Sequence, residues 1–138
     1  MKIEFERLND AFHLRATNEE GRFVETDGSP TIGGSNQGMR PMQLLLAGIG
    51  SCSSIDIIHM LKKQRQDLKD IKITVTADRE KDKAPSLFTN IHVHFVLYGD
   101  LNEKKVERAV SLSMDKYCSV TRILEKTAEI TYDFTIKN

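Results

Sequence analysis

The run Pro41-Met-Gln-Leu-Leu-Leu-Ala-Gly-Ile-Gly-Ser-Cys-Ser-Ser-Ile-Asp-Ile-Ile-His-Met-Leu61 constrains this chain more than any other segment. Pro41 suits the first position of a helix, where its fixed φ fits and its missing N–H costs nothing. The pattern predicts a helix from there to about Gln66. Met42, Leu44, Leu45, Leu46, Ala47, Ile49, Ile55, Ile57 and Ile58 leave its body apolar nearly all round. Such a helix must be covered on every side, which places it at the centre of the core or of a dimer. Gly48, Gly50, Ser51 and Asp56 interrupt the apolar stretch and argue against a membrane span. The basic end Lys62-Lys-Gln-Arg65 complements the negative pole of the helix.

Shorter elements surround it. Ile3, Phe5 and Arg7 against Lys2, Glu4 and Glu6 give a period-two strand. Asn9-Asp10 turns the chain into a returning strand over Ala11 to Thr17, and a short strand follows near Arg22 to Glu25. Asp27-Gly-Ser-Pro30 and Gly33-Gly-Ser-Asn-Gln-Gly38 form a long glycine-rich loop, a kind of segment that is often functional or mobile. Beyond the helix, Ile71, Ile73, Val75 and Ala77 alternate with polar residues. Ile91, Val93, Phe95 and Leu97 line one face of a strand over Thr89 to Gly99. Asn102 caps an amphipathic helix with the inner stripe Val106, Ala109, Val110, Ser113 and Tyr117. Ser119 is the expected N-cap of a short helix through Glu125 or Lys126, and Ile130, Tyr132, Phe134 and Ile136 close the chain as a strand. The order β-β-β-α-β-β-α-α-β is that of an α+β protein, and 138 residues make a single domain, 1–138.

Twenty basic residues balance twenty acidic ones without a basic stripe, which argues against a nucleic-acid partner. The N-terminus alternates apolar and charged residues and lacks the apolar centre of a signal peptide, so the expected address is cytoplasmic. Stable disulfides are uncommon there, and the two cysteines are expected to rest as thiols unless they cycle.

Those cysteines are the leading chemical candidates. Cys52 falls within the apolar helix and Cys118 at the junction of two later helices. One reading is a redox pair; the other is two buried small residues that never meet. A thiol just before an N-cap faces unpaired N–H groups and the positive helix end, with Arg122 one turn beyond, so Cys118 is expected to favour thiolate. Cys52 has apolar surroundings and Asp56 one turn away, both of which disfavour its thiolate. On local physics Cys118 is the more acidic thiol. Asp56 could orient an arginine, but a structural hydrogen bond to a cap or turn is the preferred reading. His92 and His94 share one strand face with no third ligand obviously placed, so no metal is expected. His59 reads as a half-buried polar contact. The loop Gly33 to Gly38 lacks a phosphate-cradle signature.

Leu44-Leu-Leu-Ala-Gly-Ile-Gly-Ser-Cys52 with Ser-Ser-Ile-Asp56 and Lys-Lys-Gln-Arg65 resembles the central helix of the OsmC/Ohr family. Ala84-Pro-Ser-Leu-Phe-Thr89, Tyr117-Cys-Ser-Val120 and Leu124-Glu-Lys126 continue the resemblance, which runs from about Met39 to the end and is closest to the YhfA-like branch. It implies an OsmC-like fold: N-terminal strands, a long central helix, and a sheet with a second helix pair, in an intertwined homodimer. It further implies that Cys52 and Cys118 meet near the dimer interface. Cys52 would attack an organic hydroperoxide, and Cys118 would close a disulfide that a dithiol such as a lipoyl group reduces. No cofactor is implied. Peroxidase members carry a glutamate where this chain has Met42, followed by Gln43, and a proline where it has Ser119. They also carry an activating arginine, for which Arg15, Arg22 and Arg40 are candidates by location. These departures sustain a second reading: an OsmC-fold dimer with little peroxidase activity that binds an apolar or electrophilic small molecule beside Cys52, or senses oxidants.

Overall fold

A computed structural model describes residues 1–138. It is α+β: three strands, a long helix, two strands, two short helices and a final strand. The chain divides into two compact units, Met1–Leu45 and Leu46–Asn138, with the boundary inside the long helix.

The first unit is an antiparallel sheet of β1 (Ile3–Arg7), β2 (Leu14–Asn18) and β3 (Phe23–Thr26), in that order. Asn9 makes the first turn by accepting the N–H groups of Ala11 and His13, at 2.9 and 3.2 Å. Asn18 makes the second, accepting those of Glu20 and Arg22. In this unit only Thr26 and Asp27 are buried, and both are polar. Asp27 organises the glycine-rich loop. Its carboxylate accepts the N–H of Gly28 at 2.7 Å, of Gln37 at 3.0 Å and of Ser35 at 3.3 Å, and the Ser35 hydroxyl at 3.0 Å. These bonds, the Gln37 N–H foremost, hold the Asp27 carboxyl below its ordinary pKa against the opposing effect of burial. The loop crosses itself closely: a Cβ on Gly34 would stand 1.8 Å from the Gly28 carbonyl oxygen. A segment that composition marked as irregular is therefore tied to one buried carboxylate.

The second unit holds the hydrophobic core. Its sheet runs β4 (Asp70–Arg79), β5 (Phe88–Tyr98), β6 (Glu129–Lys137), with β5 antiparallel to β4 and parallel to β6. Ile91, Val93, Phe95 and Leu97 of β5 are fully buried and pair by register with Ala77, Val75, Ile73 and Ile71 of β4. The parallel crossover from β5 to β6 is made by α2 (Glu103–Leu112), a π-helical turn (Ser113–Tyr117) and α3 (Ser119–Leu124). Asn102 caps α2 as expected, accepting the Lys105 N–H at 3.1 Å.

The long helix, α1 (Pro41–Lys63), begins at the expected proline. The Gln43 side chain reaches back to the Arg40 N–H at 3.0 Å, one half of a capping box. It ends three residues earlier than expected. Arg65 takes the left-handed conformation (φ 55°) and the Gln66 N–H returns to the Leu61 carbonyl, closing the helix. Within the second unit α1 buries Ile49, Ser53, Ile57 and Leu61, which recur every fourth residue, beside Gly50 and Ser54. A Cβ on Gly50 would meet Val75 at 3.3 Å, so the helix and the sheet approach closely there. The opposite side is open: Ile55 is 66% exposed and Ile58 41%. One chain thus covers one side of α1, not every side. Despite its glycines, serines and aspartate, α1 is also long and apolar enough to cross a membrane by length and composition.

Candidate functional site

Cys52 sits on α1, half-buried, and Cys118 opens α3, fully buried; both are free thiols. The two lie near enough for Cys52 to be one of the groups that raise the Cys118 thiol. Two contacts place α1 and the Cys118 junction side by side. One turn before Cys52, a Cβ on Gly48 would lie 3.7 Å from Val120, two residues past Cys118. One residue after Cys52, the Ser53 carbonyl accepts the Ser113 hydroxyl at 3.3 Å, and Asp56 Oδ2 accepts the same hydroxyl at 3.0 Å. Asp56 is thereby the structural hydrogen bond the sequence favoured: it pins the C-cap of α2 rather than orienting an arginine.

The π-helical turn aims Cys118. Its N–H bonds to the carbonyl of Ser113, five residues back, at 2.8 Å. That extra residue rotates the inner stripe beyond Ser113. Met114 is buried in place of Tyr117, which is 53% exposed, against the expected position of Tyr117 on the stripe. Arg122 holds the turn from below, donating to the carbonyls of Asp115 and Met114 at 2.6 and 2.7 Å and pairing with Glu125 at 3.0 Å. The Tyr132 hydroxyl of β6 donates to Asp115 at 2.8 Å; burial and that carboxylate push Tyr132 up to about 12.

Two expectations about Cys118 change. It is itself the N-cap of α3, with its sulfur accepting the Thr121 N–H at 3.4 Å, so Ser119 is the first helical residue instead. Its thiol is also not acidic. Burial pushes the pKa above the ordinary thiol value, hydrogen bonds from Thr121 pull the other way, and neighbouring Cys52 raises it further. A helix of six residues does not outweigh complete burial, and the Arg122 guanidinium is spent on carbonyl oxygens. The Thr121 hydroxyl is buried and has no hydrogen-bond partner.

Arg15 pairs with Glu25 and Glu6, at 3.4 and 3.6 Å, and stacks on Phe23. Arg40 bonds Asn36 and the Gly38 carbonyl, at 2.7 and 3.1 Å, and Arg22 is exposed. His92 and His94 lie on the face of β5 opposite the core, where both reach Asp133 Oδ1 of β6, at 3.1 and 2.6 Å. Asp133, 39 residues beyond His94 and opposite it in the parallel register, is thus a hydrogen-bond partner of both imidazoles that the sequence pattern did not show. No three His, Cys, Asp or Glu side chains are arranged to hold a metal ion. His59 is exposed rather than half-buried. Sequence reasoning missed the π turn, Thr121 and the carbonyl-binding role of Arg122. Met114 carried the available signal: a large apolar residue one place off the stripe, competing with a tyrosine.

Residues 34–133 match the family of OsmC-like proteins. Protein YhfA of Escherichia coli (strain K12) is 44% identical over 97 residues, which span 70% of this chain and 72% of that protein. A hypothetical protein from Aquifex aeolicus VF5 has a solved structure of TM-score 0.80 at 34% identity, covering 99% of this chain and 97% of that one. The organic hydroperoxide resistance protein OsmC from Legionella pneumophila has a TM-score of 0.72 at 16% identity, covering 98% and 97%. That last likeness is one of fold.

Proposed function

The chain belongs to the OsmC-like protein family, and from that premise we propose that it is a thiol-dependent peroxidase-like protein that reduces organic hydroperoxides through Cys52 and Cys118. The observation that carries this reading is the meeting of its only two cysteines, both free, at one junction. In the proposed cycle the Cys52 thiolate attacks the outer peroxide oxygen. The O–O bond breaks, an S–O bond forms, and the alkoxide leaves as an alcohol after taking a proton. Cys118 sulfur then displaces water from the sulfenic acid to close a disulfide. A dithiol such as a lipoyl group returns two electrons and two protons. Burial of Cys118 suits a resolving thiol: it stays protonated until Cys52 is oxidised, and the Thr121 hydroxyl is at hand to stabilise its charge. Neither a metal nor a cofactor enters this scheme.

The proposal includes a homodimer and a cytoplasmic address, where thiols rest reduced. The open side of α1 and the exposed apolar residues of the first sheet (Ile3, Phe5, Phe23 and Val24) support self-association, since soluble monomers rarely leave such surface uncovered.

A second reading, an OsmC-fold dimer with little turnover that binds a small electrophile or senses oxidants, draws on one observation. Arg15 and Arg40, two of the arginines expected to activate Cys52, are engaged by Glu25, Glu6, Asn36 and the Gly38 carbonyl. Stoichiometric cumene hydroperoxide followed by intact mass, then dihydrolipoamide, separates the two. Rapid loss of two hydrogens with sustained turnover is expected for the peroxidase. Cys118→Ser should instead stop with one added oxygen. Oxidation without turnover supports the second reading, and kinetics unchanged in Cys52→Ser removes the redox role.

A further inference from the structure

Between the last two turns of α1 and the outer side of α2 lies an open cleft of about 870 Å³, a volume that accommodates a small-molecule ligand. Asp56, His59, Met60 and Lys63 line it from α1, and Lys105, Arg108 and Leu112 from α2, with Tyr117 at the π turn. Cys52 and Cys118 do not line it.

The charges of this cleft are unbalanced. Lys63, Lys105 and Arg108 face a single carboxylate, and that carboxylate, Asp56, already accepts the Ser113 hydroxyl. None of the three cations makes an ion pair, although the chain is neutral overall and seven ion pairs of lysine, arginine or the N-terminus form elsewhere in it. Lys105 and Arg108 stand three apart on one helix, where like charges destabilise each other. Against this rim, Met60, Leu112 and the Tyr117 ring supply an apolar wall. Concentrated, uncompensated cations beside apolar surface match one ligand chemistry: a negatively charged head on an apolar body.

We propose that this cleft is a binding site for an amphipathic anion, with a carboxylate or phosphate head held by Lys63, Lys105 and Arg108 and an apolar chain laid along Met60, Leu112 and Tyr117. The proposal does not rest on the redox reading, because neither thiol touches the cleft.

Calorimetric titration of the reduced 138-residue chain tests it with four ligands that share a decyl chain: decanoate, decyl phosphate, decanol and decyltrimethylammonium. Both anions are expected to bind at least tenfold more tightly than decanol, with the cation weakest. The stronger of the two anions then tells whether the natural head is a carboxylate or a phosphate. Inorganic phosphate alone should bind far more weakly than decyl phosphate, because it leaves the apolar wall empty. Lys105→Glu combined with Arg108→Glu, both at exposed positions, should abolish the preference for anions with an unchanged circular dichroism spectrum. If that double variant misfolds, Lys63→Gln alone should still weaken anion binding severalfold and leave decanol unaffected. Cys52→Ser, which ends any peroxidase activity, should titrate like the parent. Equal affinity for decanol and decanoate, a preference for the cation, or anion binding indifferent to all of these charge substitutions overturns the proposal.

Discussion

The two sheets of this protein are each three-stranded, yet they are built on opposite terms. The C-terminal sheet buries Ile91, Val93, Phe95 and Leu97 completely, and α1 approaches it closely enough that a Cβ on Gly50 would stand 3.3 Å from Val75. The N-terminal sheet buries no apolar side chain: Ile3, Phe5, Phe23 and Val24 are each half or more exposed or close to it, and its unit is organised by a buried carboxylate. A three-stranded sheet gains independent stability from an apolar face that is covered. The second unit covers its own face. The first leaves that to something else, which is the physical content of the proposed dimer.

The largest expected effect breaks the comparison directly. Phe95→Ala empties a fully buried site and should cost about 3–5 kcal/mol, measured by urea denaturation. Phe5→Ala, at a position 65% exposed, should change stability by no more than about 0.5 kcal/mol in dilute solution. At high concentration it should instead weaken self-association, read by sedimentation velocity. A large loss of stability for Phe5→Ala at every concentration would show that the first sheet has a core within its own chain.

Next in size is the carboxylate that replaces a core in the first unit. Asp27→Asn keeps the shape but loses the charge that four donors address, and should lower the thermal midpoint at pH 7. The pH dependence gives the sign. The folded pKa of Asp27 is held below its ordinary value, so its contribution is fully present above the unfolded carboxylate pKa. It is lost as pH falls through the folded value. Asp27→Asn should therefore lose less stability than the parent between neutral and acid pH. Two equal acid profiles would remove the carboxylate from its organising role.

How much of this contrast was legible beforehand follows from the range of the forces. Period-two and helical spacings are local, and they marked the strands, Pro41, Asn102 and the order of elements. The α1 stripe could not say which side is covered, because its apolar residues surround the helix. Asp27 reads in the sequence as an ordinary turn residue, and its partners lie up to ten residues ahead in a loop with no periodicity. At the candidate site the two cysteines were visible as rare residues in unusual places. Their meeting was implied by resemblance alone, since spacing carries no distance across sixty-six residues. Local reasoning misjudged Cys118 because burial is a tertiary quantity: the helix end was visible, and the packing that removes water from it was not.

Cys118 supplies the next test, on the well-packed side of the comparison. With its folded pKa raised above the unfolded value, the thiol contributes stability that is fully present below the unfolded pKa. That contribution disappears as pH climbs through the folded one. The ultraviolet absorbance of thiolate in the reduced protein, followed against pH, should show the Cys118 midpoint above that of an ordinary thiol. In Cys52→Ser the midpoint should fall, because Cys52 is one of the groups that raise it. A Cys118 midpoint below the ordinary thiol value would restore the helix end as the dominant influence.

The smallest effect concerns how α1 stops. Arg65 holds a left-handed conformation (φ 55°) that a Cβ disfavours by about 1–2 kcal/mol, and glycine adopts it freely. The Gln66 N–H bond to the Leu61 carbonyl depends on that turn, and Leu61 is fully buried, so the geometry is imposed by core packing rather than by residue 65. Arg65→Gly should accordingly raise stability by about 0.5–1 kcal/mol, since part of the gain is offset by a more flexible unfolded chain. The same replacement at Arg22, whose neighbour Gly21 already supplies the positive φ of its turn, should bring no gain. If both variants behaved alike, the end of the long helix would be no better determined than a surface hairpin, and the core packing of the second unit would not fix the turn after Leu61.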